Sequence, residues 1–190
     1  MRIPSWPDKS YPLWIRLVLR AQKKKYGASL EPTRLWGRSP RLLMGLQALY
    51  SAIDRKGSPI DPALRSLVTV RVSQINRCSF CIDINSALLQ ERGVRIDKAL
   101  ALAEFETDPS FSERERAALA YAEAMTRSDK SVDDKVFGRL HAHFSEAEIL
   151  ELTAVIAYQN LSSKFNAALG VPAQGFCPIP ASDVSSKKAT

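Results

Sequence analysis

Asp61-Pro-Ala-Leu-Arg-Ser-Leu-Val-Thr-Val-Arg-Val-Ser-Gln-Ile-Asn-Arg-Cys-Ser-Phe-Cys81 is the stretch that decides how this chain folds. Asp61 caps a helix and Pro62 occupies its first position, where a missing N–H costs nothing. Leu64, Leu67, Val68, Val70 and Val72 then supply the apolar positions. Propensity alone would let Val68 to Val72 form a short strand, but the Asp-Pro start favours helix. Beyond the cysteines, Ile82 to Arg92 reads as a second helix, with Gly93 as its stop. Asn76 is the expected cap before that helix, which would put Cys78 and Cys81 in its first turn.

Working outward, the same punctuation recurs. Ser39-Pro40 precedes Leu42, Leu43, Leu46 and Leu49. Asp97 is placed to cap Lys98 to Phe105, and Ser131 to cap a helix through Val136, Phe137 and Leu140. Ser112-Glu113-Arg114-Glu115 and Ser145-Glu146-Ala147-Glu148 are capping boxes, each followed by apolar residues at helical spacing. Loops are expected where breakers cluster, at 55–61, 107–110 and 170–180. No alternating segment bounded by turn signals marks a strand. The fold class is therefore all-α, with about seven or eight helices. Residues 1–38 read as an N-terminal helical extension, 39–176 as the main domain and 177–190 as a flexible tail. Within the extension, the apolar runs Leu13-Trp14-Ile15 and Leu17-Val18-Leu19 are broken by Arg16 and ended by Arg20, too short and too charged for a membrane span. Trp6, Trp14 and Trp36 read as packing residues against the core or a neighbouring subunit.

Composition sets the compartment and the partners. The chain of 190 residues is 45% hydrophobic and 25% charged, enough to bury a core unaided. Three cysteines are too few and odd in number for a secreted disulfide framework, so a reducing, cytoplasmic setting is expected. The net charge of +7 permits nucleic-acid binding, yet its densest run is only Lys23-Lys24-Lys25. That run reads as a solvated face, and neither nucleic acid nor membrane is an expected partner.

Cys78 and Cys81, three apart, lie on one face of a helix. Spacing alone leaves three readings: a redox pair, half of a zinc site, or two small buried residues. The zinc reading would draw on His141 and His143, which fall mid-helix and, two apart, point to different faces. In the redox reading, free N–H groups and the helix dipole stabilise a thiolate, with Arg77 and Arg71 as further positive charges. Cys177, in a Pro-rich loop, reads as a free thiol without a role.

The quoted stretch, continued through Ile82-Asp-Ile-Asn-Ser-Ala-Leu to Gly93, resembles the carboxymuconolactone decarboxylase / alkylhydroperoxidase D-like family. So do 111–124, Phe144-Ser-Glu-Ala-Glu-Ile149, and the run from Asn160 through Phe165-Asn166 to Gly170-Val-Pro172. The resemblance spans roughly 40–175 and is strongest in Arg-Val-Ser-Gln-Ile-Asn-x-Cys-x-Phe-Cys. It implies a helical fold that assembles into dimers, trimers or hexamers. It also implies a peroxidase or disulfide-reductase activity, in which Cys81 attacks a hydroperoxide or small disulfide and Cys78 closes a disulfide. A lipoyl or thioredoxin-like donor reopens it. The redox-active disulfide is the only cofactor implied, and no metal is. Members that decarboxylate a lactone typically lack the cysteine pair.

Two positions depart from the family pattern. Its glutamate twelve residues before the first cysteine is Ser66 here, and its histidine four residues after the second is Asn85. Those two groups form the family's proton relay, worth about 10²–10⁴ in rate. Serine and asparagine hydrogen-bond but do not titrate near neutral pH. Asn85, one turn after Cys81, is expected to orient a water or donate to the thiolate. Asp83 points elsewhere, and Glu104 or Glu123 are the carboxylates available from other helices. The expected function is a thiol-dependent, peroxidase-like oxidoreductase using Cys81, Cys78, Asn85 and Ser66. The alternative is a redox-sensing or scaffold protein without turnover.

Overall fold

Helix α4 (Pro62–Ile75) carries buried side chains all the way round, among them Leu64, Ser66, Leu67, Val68, Val70, Val72 and Ser73. A helix without a polar stripe must be enclosed by others. In the computed structural model, which describes residues 1–179, it is packed by α5 (Ser79–Glu91), α7 (Glu113–Thr126) and α9 (Glu146–Ala168). The remaining helices are α1 (Leu13–Tyr26), α2 (Glu31–Gly37), α3 (Pro40–Ile53), α6 (Ile96–Leu100) and α8 (Asp134–His141). Short 3₁₀ turns sit at Asp8–Ser10 and Ala101–Glu104. The described residues thus form nine α-helices and no strand. The expected tail lies, from residue 180 onward, outside the described residues.

Local chemistry places most helix ends. The Asp61 carboxylate accepts from the N–H groups of Ala63 and Leu64. Both capping boxes form as read, Ser112 with Glu115 and Ser145 with Glu148. Gly93, at φ +82°, ends α5 in the left-handed conformation that glycine adopts without penalty. Three caps differ from expectation. Asp133, not Ser131, caps α8, its carboxylate accepting from the Val136 N–H at 2.8 Å. Arg95 precedes α6, so Asp97 sits in the first turn, where its charge favours the helix dipole. Asn76 closes α4 instead of opening α5, and Cys78 itself is the N-cap of α5.

The far end of the α4–α5 hairpin is locked by charge. Arg92 donates two 2.8 Å bonds to the carboxylate of Asp54, on the loop after α3, and a 3.0 Å bond to the Ser66 hydroxyl. Arg65 adds a 3.2 Å ion pair to the same carboxylate. On the other side, Tyr11, Ile15 and Leu19 are buried against Leu43 of α3, so the first helix packs onto the main body. Leu13, Trp14 and Leu17 of α1 remain exposed. The Arg2 N–H also donates to the Leu169 carbonyl at the end of α9.

Candidate active site

The turn between α4 and α5 is three residues long, Asn76-Arg77-Cys78. It is closed by the two bonds of a Schellman motif: Cys78 N–H to the Ser73 carbonyl at 3.1 Å, and Arg77 N–H to the Gln74 carbonyl at 3.0 Å. That motif needs a left-handed residue, and here it is Arg77, at φ +52°. The Asn76 amide fixes the turn from outside by donating to Asn160 and Ser163 of α9, both at 2.8 Å. Cys78 is therefore the last residue of one helix motif and the first of the next.

As N-cap, Cys78 receives the Cys81 N–H on its sulfur at 3.2 Å. A bond of that kind, with the positive end of α5, stabilises a thiolate at Cys78. The two sulfurs stand at disulfide distance, with the Cα atoms 5.2 Å apart. Both cysteines are buried, but their surroundings differ. Cys81 lines a cavity of about 680 Å³, and Cys78 lies behind it, outside the lining.

The cavity is walled by the extension on one side and the main domain on the other. Val18, Tyr26, Leu30 and Trp36 face Phe80, Ile84 and Leu88 across it. Trp36 stacks on Phe165 with ring centroids 3.7 Å apart, and Phe176 meets Phe80 and Tyr26 edge-on. Tyr158, also in the lining, is pushed up to about 12 by burial and stays a neutral phenol. Polar groups gather beside Cys81: Asn85, Gln159 and Asn166.

These amides have distinct partners. Asn85 and Gln159 both donate to the Ser73 hydroxyl, at 3.2 and 2.9 Å, and Ser73 donates onward to the Thr69 carbonyl at 2.6 Å. Asn166 donates to the Cys81 sulfur at 3.4 Å, and its side-chain oxygen Oδ1 is buried with no hydrogen-bond partner. Asp83 turns away from the cavity. Its carboxylate accepts the N–H groups of Gln174, Gly175 and Cys177 at 2.7–2.8 Å, pinning the loop that carries Phe176.

The expected site residues are thus partly assembled. Cys81, Cys78 and Asn85 come together. Ser66 does not line the cavity, and its hydroxyl is engaged by Arg92 at the opposite end of α5. The guanidinium of Arg71 is committed to Glu123, which also takes Lys130 at 2.8 Å. Glu104 is exposed and neither glutamate lines the cavity. His141 and His143 are exposed on and after α8. Among the described residues no group of three or more His, Cys, Asp or Glu is placed to hold a metal ion. Cys177 is buried, with Gln90 donating to its sulfur at 3.4 Å.

Asn166, Gln159 and the aromatic wall are what sequence reading missed. A signal for the amides exists. The buried stripe of α9 runs Ile149, Leu152, Val155, Ile156, and then Gln159, Ser163 and Asn166. Polar residues that continue an apolar stripe at helical spacing mark a place where the core meets chemistry.

Fold and site together define a helical protein whose cysteine pair, at the head of a buried helix, is set for redox chemistry. The chain belongs to the carboxymuconolactone decarboxylase family, and the model of that family matches residues 40–124. It is 45% identical over 174 residues to uncharacterized protein YnjA of Escherichia coli strain K12, covering 92% of this chain and 96% of that one. Two solved structures share the fold. The debrominase Bmp8, in its apo form, is 24% identical with a TM-score of 0.81, over 95% of this chain and 96% of its own. An alkylhydroperoxidase AhpD core, an uncharacterized peroxidase-related protein from Ralstonia eutropha JMP134, is 21% identical with a TM-score of 0.77, over 92% and 93%. No helix among the described residues is long and apolar enough to cross a membrane.

Proposed function

We propose that this protein is a thiol-dependent peroxidase acting on organic hydroperoxides. The observation that carries the reading is the unequal placement of the two sulfurs: Cys81 faces the cavity and Cys78 stands behind it at bonding distance. The Cys81 thiolate attacks the terminal peroxide oxygen. The O–O bond breaks, the alcohol leaves as an alkoxide that takes up a proton, and an S–O bond makes the Cys81 sulfenic acid. The Cys78 sulfur then attacks Cys81, the S–O bond breaks, and the oxygen departs as water with the Cys78 proton. An external dithiol of lipoyl or thioredoxin type enters through the cavity and attacks Cys81. Cys78 leaves as the thiolate that its N-cap bond stabilises, a stabilised thiolate being the better leaving group. The donor's second thiol then attacks the donor sulfur of the mixed disulfide, releasing the Cys81 thiolate and the oxidised donor.

The apolar lining favours a substrate with a bulky hydrocarbon part over hydrogen peroxide, because a cavity of this size lies in the range that encloses an organic ligand. The exposed apolar residues of α1 and of α3, among them Leu13, Leu17, Leu42 and Met44, support assembly into a homo-oligomer. Steady-state consumption of cumene hydroperoxide with a lipoyl or thioredoxin donor tests the reading. Cys81→Ser is expected to abolish it, and turnover at the parental rate in that variant overturns it. A second reading, redox sensing without turnover, is favoured by the lack of any histidine in the cavity lining. It predicts that peroxide forms the Cys78–Cys81 disulfide once and that no dithiol donor sustains a cycle.

A further inference from the structure

Three amides surround Cys81, but only one touches it. Asn85 and Gln159 spend their donors on Ser73. Asn166 instead directs its Nδ2 at the Cys81 sulfur, 3.4 Å away. The residue is 1% exposed, and its Oδ1 has no hydrogen-bond partner. A buried carbonyl oxygen left unpaired is costly, and native structures keep such groups where they have a use. The position is held firmly. Asn166 lies four residues before Gly170, whose φ of +63° closes the end of α9, and the Val171 N–H donates back to the Asn166 carbonyl at 3.0 Å. Ser79, one residue after Cys78, donates to the Val171 carbonyl at 3.3 Å. The end of α9 and the start of α5 are thereby tied together with the amide between them.

Resting on the peroxidase reading above, we infer that Asn166 is a further catalytic residue, its amide serving the two successive states of Cys81. Before reaction, Nδ2 donates to the thiolate and favours it over the thiol. When the sulfur takes the terminal oxygen of the hydroperoxide and the O–O bond breaks, the new S–O–H hydrogen is donated to Oδ1, the acceptor left free until then. The sulfenic acid is held for attack by Cys78, and its oxygen leaves as water when the disulfide forms. A neutral amide carries both a donor and an acceptor, so no proton enters or leaves Asn166 during the cycle. This supplies by hydrogen bonding part of what a titrating relay does in the family, at a site where Asn85 is turned to Ser73 and Ser66 to Arg92.

The test uses the reduced full-length protein and follows iodoacetamide modification of the Cys81 peptide across pH, alongside cumene hydroperoxide consumption. Asn166→Ala is expected to raise the apparent pKa of Cys81 by about one unit and to slow peroxide consumption by about tenfold or more. Asn166→Asp keeps the shape, removes the donor and adds a negative charge. It is expected to move the alkylation profile further in the same direction, and it carries the test should the alanine variant fold poorly. In a Cys78→Ser background, the sulfenic acid trapped by dimedone should be shorter-lived by about tenfold when Asn166 is alanine. Alkylation profiles and peroxide rates equal to the parent in both Asn166 variants overturn the inference. Parental turnover in Cys81→Ser overturns the peroxidase reading instead, so the two failures are told apart. A merely structural role for Asn166 would shift the melting temperature and leave the alkylation pH profile where it was.

Discussion

Two residues flanking the cysteine pair do conformational work that their charges conceal. Asp83 resembles a spare base by type, yet its carboxylate gathers three backbone N–H groups from residues 174, 175 and 177. Asp83→Ala leaves those donors unpaired, at a cost of about 3 kcal/mol, or roughly 6–12 °C in Tm for a chain of this size. Because the same loop seats Phe176 against Phe80, the variant should also weaken selection among hydroperoxides, and calorimetry with parallel kinetics checks both effects. Arg77 was expected to tune the thiols by charge. The structure places it at φ +52° with its side chain exposed, so its backbone matters more than its guanidinium. Arg77→Gly relieves a left-handed conformation and should stabilise the fold by about 1 kcal/mol, measured by denaturant unfolding, with little change in Cys81 alkylation. Sequence made the cysteines legible because their spacing is local. It hid the work of Asp83 because the partners of its carboxylate lie 91–94 residues away.

Helices α4 and α5 were readable almost to the residue, since Asp61-Pro62 and Gly93 are local signals with one physical meaning each. The start of α5 was misread for the same reason: Asn76 is a good cap by type, but the left-handed turn at Arg77 hands that position to Cys78. Sequence could not pair α4 with α7, whose shared apolar core is joined by a buried charge contact between residues 52 apart in the chain. Arg71 bridges to Glu123 of α7, which also takes Lys130. Burial raises the pKa of the Glu123 carboxyl, but the Lys130 bond and the Arg71 charge outweigh it and leave the group below its ordinary range. A carboxylate depressed in the folded state stabilises it above its unfolded pKa of about 4.3, and that contribution is lost as pH falls through the folded value. Stability should therefore drop on acidification below about pH 4.3. Glu123→Gln should remove this part of the acid sensitivity. At neutral pH it should cost about 2–4 kcal/mol, because Arg71 is left without its carboxylate partner. Chemical denaturation at pH 7 and pH 4 for both proteins measures the difference.

At the scale of the whole molecule, the cavity exists only because residues from α1 and α2 face residues from α5 and α9 across it. The family model covers residues 40–124 and so includes neither α1, α2, nor the Asn166 end of α9. The shared core brings the cysteine pair, and the flanking segments bring the walls around it. Trp36 is the plainest case. Sequence reading took it for packing, and it does pack, stacked on Phe165, but its other surface lines the cavity. Trp36→Ala should cost about 1–3 kcal/mol of stability through lost contact area. It should also act on specificity: with the wall gone, the kcat/KM for cumene hydroperoxide should fall about tenfold, while that for hydrogen peroxide, too small to reach the wall, should hold within about twofold. Equal losses for both substrates would mean that Trp36 supports only the placement of Cys81. A larger loss for the aromatic substrate would mean that the extension selects the substrate, and that relatives with the same cysteine pair but different flanking helices act on different molecules.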